Sequence, residues 1–386
     1  MKNVLTIVAL IVFATSLFAR SVDPVIPQIA DALATDPTTV ALLSTAFALP
    51  FALIQPLLGA LADMVGKTRL MTICLCILVV SAMGCALAPN FEWLLAGRIV
   101  MGLSAGGIFP VSLAVAGDLV AVAQRQVAIG RLLTAAMIGN LLGAVLAGFI
   151  GDFLGWRAVF FTSAVVGVGI LIAAILAFRN RDIDKPTSFD LKAALRNYGV
   201  IFANPLAKYC FGAVFFEGVF GHGVFPYIAV LLFQSGETRA SIAGVILAGF
   251  GMGAALYGVS VSRLLGRLGE LGIMRVGATM VTLAILSIAL RLPWPVEIAI
   301  FVIMGFGFYM LHGVIQIYAT ELAPQARASA VSLHSAFYFL GQASGPVYYG
   351  FGFALVGPTT TLIVSAIGYA LVGLVCTLTL RRSAKA

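Results

Sequence analysis

The chain is short of charge. Of 386 residues, 23 are Lys or Arg and 15 are Asp or Glu, 10% together, against about a quarter in an average soluble domain. So few ionic side chains cannot cover a water-soluble globule of this length. Histidine is scarcer still, with three residues. No set of His, Cys and carboxylates has metal-ligand spacing, so no metal is expected. There is no Walker-type Gly-rich loop and no polar stretch long enough for an extramembrane domain. Catalysis, ATP hydrolysis and cofactor chemistry therefore lack a basis, and neither an enzyme nor a cofactor is expected. The five cysteines (Cys74, Cys76, Cys85, Cys210 and Cys376) are odd in number and lie in or beside apolar runs. They read as packing residues rather than a disulfide framework. The short alternating segments of a transmembrane β-barrel are missing too.

What the chain has is apolar length. Hydrophobic residues make up 61% and mean hydropathy is +1.08. At roughly 20 residues per crossing, that suffices for about twelve helical spans. Runs bounded by charges and Gly/Pro clusters fall at 4–30, 38–62, 69–88, 92–116, 131–153, 157–178, 205–233, 240–262, 272–291, 296–320, 328–351 and 358–380. Met1 to Ala19 resembles a secretory signal, but Arg20, Asp23, Pro24 and Pro27 follow in a continuing apolar segment, so a retained first span is expected. The longest polar stretch follows Arg179 and reads RNRDIDKPTSFDLKAALRN. It divides the chain into expected six-helix halves, 1–180 and 205–386, joined by a linker at 181–204.

Basic residues report orientation. With twelve spans, Lys2, Lys67, Arg69, Arg125, Arg131, the linker group and others, 18 in all, fall on the side of the termini, against Arg20, Arg98, Arg157, Arg239 and Arg291 on the other. This bias predicts cytoplasmic termini and linker in an inner membrane. It also accounts for the net charge of +8 without nucleic acid as a partner. The halves repeat as well. Gly139-x-x-x-Gly143 in the fifth run recurs 202 residues later as Gly341-x-x-x-Gly345, followed by Pro346. Arg125 matches Arg327, Gly66-Lys67 matches Gly266-Arg267, and Met101-Gly102 matches Met304-Gly305. Matches in order at a near-constant offset indicate a duplicated six-helix unit, a frequent plan in secondary transporters.

Gly59-Ala-Leu-Ala-Asp63-Met-Val-Gly66-Lys67-Thr-Arg69 resembles the loop signature G-x-L-A-D-R-x-G-R-[KR] between helices 2 and 3 of the major facilitator superfamily, with Met64 where Arg is usual. Arg98-Ile-Val-Met-Gly102 is similar to its helix 4 motif R-x-x-Q-G. Gly139-Asn140-Leu-Leu-Gly143-Ala144-Val-Leu-Ala147-Gly148 resembles the helix 5 antiporter motif G-x-x-x-G-P-x-x-G-G, with Ala144 in place of Pro. Gly151-Asp152 and Gly155-Trp156-Arg157 look like the helix 5–6 junction of drug-efflux members. The resemblance implies an all-α polytopic membrane protein of 12 transmembrane helices in two pseudo-symmetric six-helix bundles. It also implies a substrate site between them and a gating role for Gly59, Asp63, Gly66, Lys67 and Arg69. Gly102, Gly139, Gly143, Gly148, Gly341, Gly345 and Pro346 then serve helix packing.

Ionisable groups inside apolar runs are costly and ask for a reason. Glu217 lies nine residues past Lys208, about 14 Å along a helix, near the middle of the bilayer. Low dielectric disfavours its charge there, which suits reversible protonation. Arg20 and Asp23 are spaced to pair on one helix face, and Arg98 can join them in a charge network. His222, His312 and His334 can titrate near neutral pH. With Asn140, Tyr309 and Gln342 they are cavity candidates, set among Phe and Tyr residues. An aromatic cavity with few polar anchors suits an amphiphilic solute. The expectation is a monomeric, proton-coupled exporter of a small organic substrate, in contact with membrane lipid. The alternative is an uptake symporter or facilitative carrier.

Overall fold

The computed structural model describes residues 2–120, 124–179 and 191–380. All regular structure among them is helical. Ten stretches are long and apolar enough to cross a membrane. Two of these are too long for one crossing: α12 (Ala240–Ala289) has 50 residues and α14 (Arg327–Thr379) has 53, about 75 to 80 Å at helical rise against a hydrocarbon core of roughly 30 Å. Each is interrupted by a glycine in a left-handed conformation. Gly269 has φ 64° and ψ 175°, and Gly357 has φ 81° and ψ 164°. Dividing both there turns ten crossings into the twelve expected.

These breaks have counterparts. Gly66, with φ 103°, separates α3 (Pro37–Val65) from α4 (Lys67–Ala86). Gly155, with φ 80°, separates α7 (Arg125–Leu154) from α8 (Trp156–Phe178). Gly66 and Gly269 lie 203 residues apart, and Gly155 and Gly357 lie 202 apart. The structural partner of Gly66 is therefore Gly269, which corrects the match to Gly266 made on sequence. Gly266-Arg267 is inside a helix that runs three residues further before it breaks. A Gly followed by a base is a poor guide here, since the turn is set by the residue that takes positive φ.

Three expected spans are interrupted rather than continuous. The first is α1 (Lys2–Arg20), a 3₁₀ turn (Asp23–Val25) and α2 (Ile26–Ala32), with Pro24 and Pro27 withholding two backbone donors. The fourth is α5 (Phe91–Ala105) and α6 (Ile108–Leu119), parted at Gly106-Gly107. The linker also differs from a plain loop, because Leu191–Ala203 forms helix α9. Its residues 181–190, with Arg181 and Lys185, lie outside the described residues, as do Arg381, Arg382 and Lys385. The seventh span is α10 (Ala207–Glu217), a π-helical turn (Gly218–His222) and α11 (Phe225–Gln234). The last described helix of the first half, α8, and α13 (Trp294–Glu321) in the second are unbroken.

The chain forms two compact units. One comprises Met1–Phe189 with Pro226–Val245, the other Asp190–Phe225 with Ile246–Ala386. Pro226–Val245 joins the first unit for local reasons. The Asp152 carboxylate accepts the backbone N–H of Ala240 at 2.7 Å and of Ser241 at 2.9 Å, capping the start of α12. Gly148 lies against the Ala240 backbone and Gly244 against that of Ala144, so α7 and α12 meet at backbone distance.

Each unit repeats the same internal contacts. In the first, Gly139 and Gly143 of α7 rest on the carbonyls of Phe13 and Leu17 in α1. In the second, Gly341 rests on the carbonyl of Phe215, and Gly345 on Gly223 and the Val219 carbonyl. Phe13 and Phe215 are 202 residues apart, as are Gly139 and Gly341. Gly102 against Phe47 is matched by Gly305 against Phe250, with 203 between partners. The repeat thus carries its contacts as well as its residues. Small residues allow this close approach where lipid offers no hydrophobic drive to helix pairing. Outward positions are apolar: Phe153, Val259 and Leu355 are 81%, 79% and 80% exposed, as expected of surfaces solvated by lipid tails.

Candidate functional site

The second unit gathers Glu217 and the three histidines in one place. Glu217 ends α10, where the helix widens into the π turn, a local form that recurs at functional sites. Gly218 lets α14 pack closely on this turn, since a Cβ there would lie 2.6 Å from the Tyr338 carbonyl oxygen and 2.7 Å from the Gln342 nitrogen. Glu217 is fully buried. Its Oε2 is 3.0 Å from His312 Nδ1 of α13, and its Oε1 accepts the Tyr369 hydroxyl of α14 at 3.4 Å. His312 stacks on Phe308, with centroids 5.2 Å apart, and lies 4.9 Å from the His334 ring and 5.0 Å from the Tyr338 ring. His334 is buried, and its Nε2 has no hydrogen-bond partner.

A second polar chain abuts the first. The Tyr338 hydroxyl sits 3.1 Å from His222 Nε2 and accepts a hydrogen bond from Gln342 Nε2 at 2.7 Å. Phe225, Phe250 and Phe308 surround the His222 ring at 4.7 to 4.8 Å. Tyr309 packs on Phe308 and Phe250 and lies 6.3 Å from His312. Glu217, His222, Tyr309, His312, His334 and Gln342, singled out separately on sequence, therefore form one neighbourhood. Asn140 belongs to the other unit, where it is exposed.

Arg20, Asp23 and Arg98 form a distinct cluster in the first unit. Arg20 Nη1 donates to Asp23 at 3.5 Å, and the Ser44 hydroxyl donates to Asp23 at 2.6 Å. Arg98 is fully buried but does not join them by a direct bond. Its Nε donates to the Leu43 carbonyl and its Nη1 to the Phe18 carbonyl, both at 3.2 Å. Its guanidinium lies 4.6 Å from the Phe47 ring centroid, and its Nη2 has no partner. Arg98 thus ties α1 and α3 together next to the break that follows Arg20. Arg20, Asp23 and Arg98 belong to the first unit and Glu217 to the second.

In the loop motif, Gly66 takes the left-handed turn, and Lys67 Nζ pairs with Asp118 of α6 at 2.6 Å. Arg69 is exposed. Gly59 and Asp63 lie on the α3 backbone, and the Asp63 side chain lies outside the described residues. Gly102, Gly139, Gly143, Gly148, Gly341 and Gly345 all sit at backbone contacts, and Pro346 is buried within α14. Outside the spans, Arg239 grips Glu237 through two bonds of 2.7 and 2.8 Å. That grip holds the Glu237 carboxyl below its ordinary value of 4.5. Among the described residues, no group of three or more His, Cys, Asp or Glu is placed to hold a metal.

Tyr369, Asp118, Asp152 and Ser44 escaped the sequence reading as partners. Tyr369 stands in an apolar run with no charge to flag it. Asp152 and Asp118 are acids at span ends, and that position was the available signal.

The Major Facilitator Superfamily family model matches residues 8–346. The chain belongs to the major facilitator superfamily. As a member, it is an integral membrane protein that transports small molecules and is not an enzyme. It is 25% identical over 352 residues to Multidrug resistance protein 1 of Bacillus subtilis, covering 90% of each chain. It is 24% identical over 339 residues to a multi-drug resistance efflux pump PmrA homolog of Lactococcus lactis, covering 83% of this chain and 82% of the relative. With an uncharacterized transporter of Mycobacterium tuberculosis it shares 33% identity over 139 residues, 36% of this chain and 24% of that protein. The fold matches the crystal structure of a D-xylose-proton symporter with a TM-score of 0.79 at 15% identity, covering 98% of both chains.

Proposed function

We propose that this superfamily member is a proton-coupled exporter of small amphiphilic organic solutes. It works as a monomer by alternating access in an inner membrane, with both termini and the 181–204 linker cytoplasmic. Residues 1–180 and 205–386 act as its two halves. The observation that carries the reading is Glu217: a fully buried carboxyl in an apolar unit, bonded among the described residues to a histidine and a tyrosine. A group so placed is costly to keep charged and is worth keeping where its proton comes and goes. Protonation of Glu217 biases one access state over the other. The aromatic surroundings and the scarcity of fixed charge suit an amphiphile, and relatives named for multidrug resistance support export.

Membrane lipid solvates the outward apolar faces. The basic linker and loop ends set the orientation. Uptake or facilitated passage is the competing reading, kept by Ala144 where the export motif has Pro. The test is intracellular accumulation of a fluorescent amphiphilic cation and of neutral sugars, with and without the protein. Export predicts lower dye accumulation that collapses when the proton gradient is discharged. Raised accumulation of either probe reverses the direction, and no change with any probe removes the solute class.

A further inference from the structure

Glu217 and His312 form a bonded pair, yet only one of them can be reached. The Glu217 side chain is 0% exposed, whereas that of His312 is 13% exposed. The bond between them uses His312 Nδ1. The imidazole has a second nitrogen, and among the described residues the buried unpaired side-chain atoms are Gln28 Oε1, Arg98 Nη2 and His334 Nε2. No hydrogen bond to His312 Nε2 is found among the described residues, and since it is not one of these sealed, unpaired atoms it is open to the outside.

From these positions we infer that His312 is the port through which protons reach Glu217, and that Glu217 never meets water directly. The inference rests on the proposal that Glu217 is the coupling site, and adds the route. A proton arriving on Nε2 makes an imidazolium. The ring then passes its Nδ1 proton to Glu217 Oε2, which leaves a neutral acid and a neutral ring of the opposite tautomer. No atom moves except hydrogen, and one proton enters for one delivered. The reverse order empties the site. A histidine is suited to this because its two nitrogens exchange donor and acceptor roles.

The surroundings favour a relay over a stored charge. The groups facing His312 are Tyr309 on its own helix, Glu217 on α10, and His334 and Tyr338 on α14. Tyr369 faces it through Glu217, and the thiols of Cys376 and Cys210 lie beyond. Among these described groups Glu217 is the one carboxylate, so it supplies the formal countercharge to an imidazolium. His334, 4.9 Å away between centroids, disfavours two simultaneous imidazolium rings. Tyr369 holds the far carboxylate oxygen, leaving Oε2 as the end that trades protons.

The experiment is infrared difference spectroscopy on the full-length protein in lipid after a rapid pH step, reading the protonated-carboxyl band. Glu217→Gln identifies the band. In His312→Asn and His312→Ala the band should respond more slowly, on the order of a hundredfold, and imidazole added to His312→Ala should restore the rate. Wild-type kinetics in both variants overturn the relay while leaving Glu217 as the coupling site. A wild-type protein with no band removed by Glu217→Gln overturns the coupling site itself. If both variants misfold, ¹⁵N-histidine resonances of the wild type decide. The relay requires the His312 ring to exchange tautomers as the carboxyl titrates, and a single tautomer throughout refutes it.

Discussion

Replacing Gly143 by Ala should loosen the first unit, and the cost can be worked from the contact. A Cβ at Gly143 would lie 2.6 Å from the Leu17 carbonyl oxygen, 3.0 Å from its Cα and 3.2 Å from its carbonyl carbon. All three are backbone atoms, so no side chain can swing aside, and α1 must move away from α7. Overpacking of this kind costs about 1–3 kcal/mol. Ala also raises helix propensity over Gly by about 1 kcal/mol, which partly masks the loss. Gly169→Ala on α8 isolates that gain, since nothing lies within 4 Å of its added carbon. The difference between the two variants is then the overpacking alone. Cys74, Cys85, Cys210 and Cys376 are buried and free, so a thiol-reactive dye reports unfolding on a thermal ramp in detergent. Gly169→Ala should melt at or above wild type and Gly143→Ala clearly below it. Equal melting of the two would refute the close approach of α7 to α1.

Other substitutions test other joints. Gly155→Ala and Gly357→Ala meet no neighbour, but φ of 80° and 81° makes the backbone itself the obstacle; each should lose about 1–3 kcal/mol on the same ramp. Arg98→Lys keeps a charge yet cannot reach the Phe18 and Leu43 carbonyls together. A loss of about 1.5–3 kcal/mol is expected, and unchanged melting would show that the fork is idle. Asp152→Ala removes the cap on the Ala240 and Ser241 amides and should cost about 1–2 kcal/mol, seen as faster hydrogen exchange confined to the start of α12. The Glu237–Arg239 pair has a depressed folded-state carboxyl value, so its contribution is present above 4.5 and fades as pH falls below it. Glu237→Gln should flatten that part of the melting-against-pH curve, and an unaltered slope would dismiss the pair.

Length and hydropathy alone marked the crossings, because a bilayer imposes a fixed apolar span on every helix. The interruptions inside the first, fourth and seventh runs were harder to read. Their Pro and Gly residues are tolerated in unbroken membrane helices too, as Pro346 in α14 shows. The repeat was legible from glycine pairs, yet its register slipped by three residues at Gly266. Composition marks a turn there, whereas only backbone conformation distinguishes Gly269. Glu217 and the three histidines stood out one by one, since polar groups are rare in such runs. Their assembly did not, because the partners come from separate helices and Tyr369 follows Glu217 by 152 positions. Arg98 illustrates a different limit: its partners are main-chain carbonyls, which carry no residue signature.

Dye flux into and out of sealed vesicles holding the purified protein, with a proton gradient imposed across the lipid, is the most direct test of coupling through Glu217. The wild type should drive a fluorescent amphiphilic cation against its concentration gradient only while the pH difference lasts. Glu217→Gln should abolish that uphill movement while leaving the protein folded. Uphill transport by Glu217→Gln at the wild-type rate, or wild-type transport indifferent to the gradient, would contradict the account.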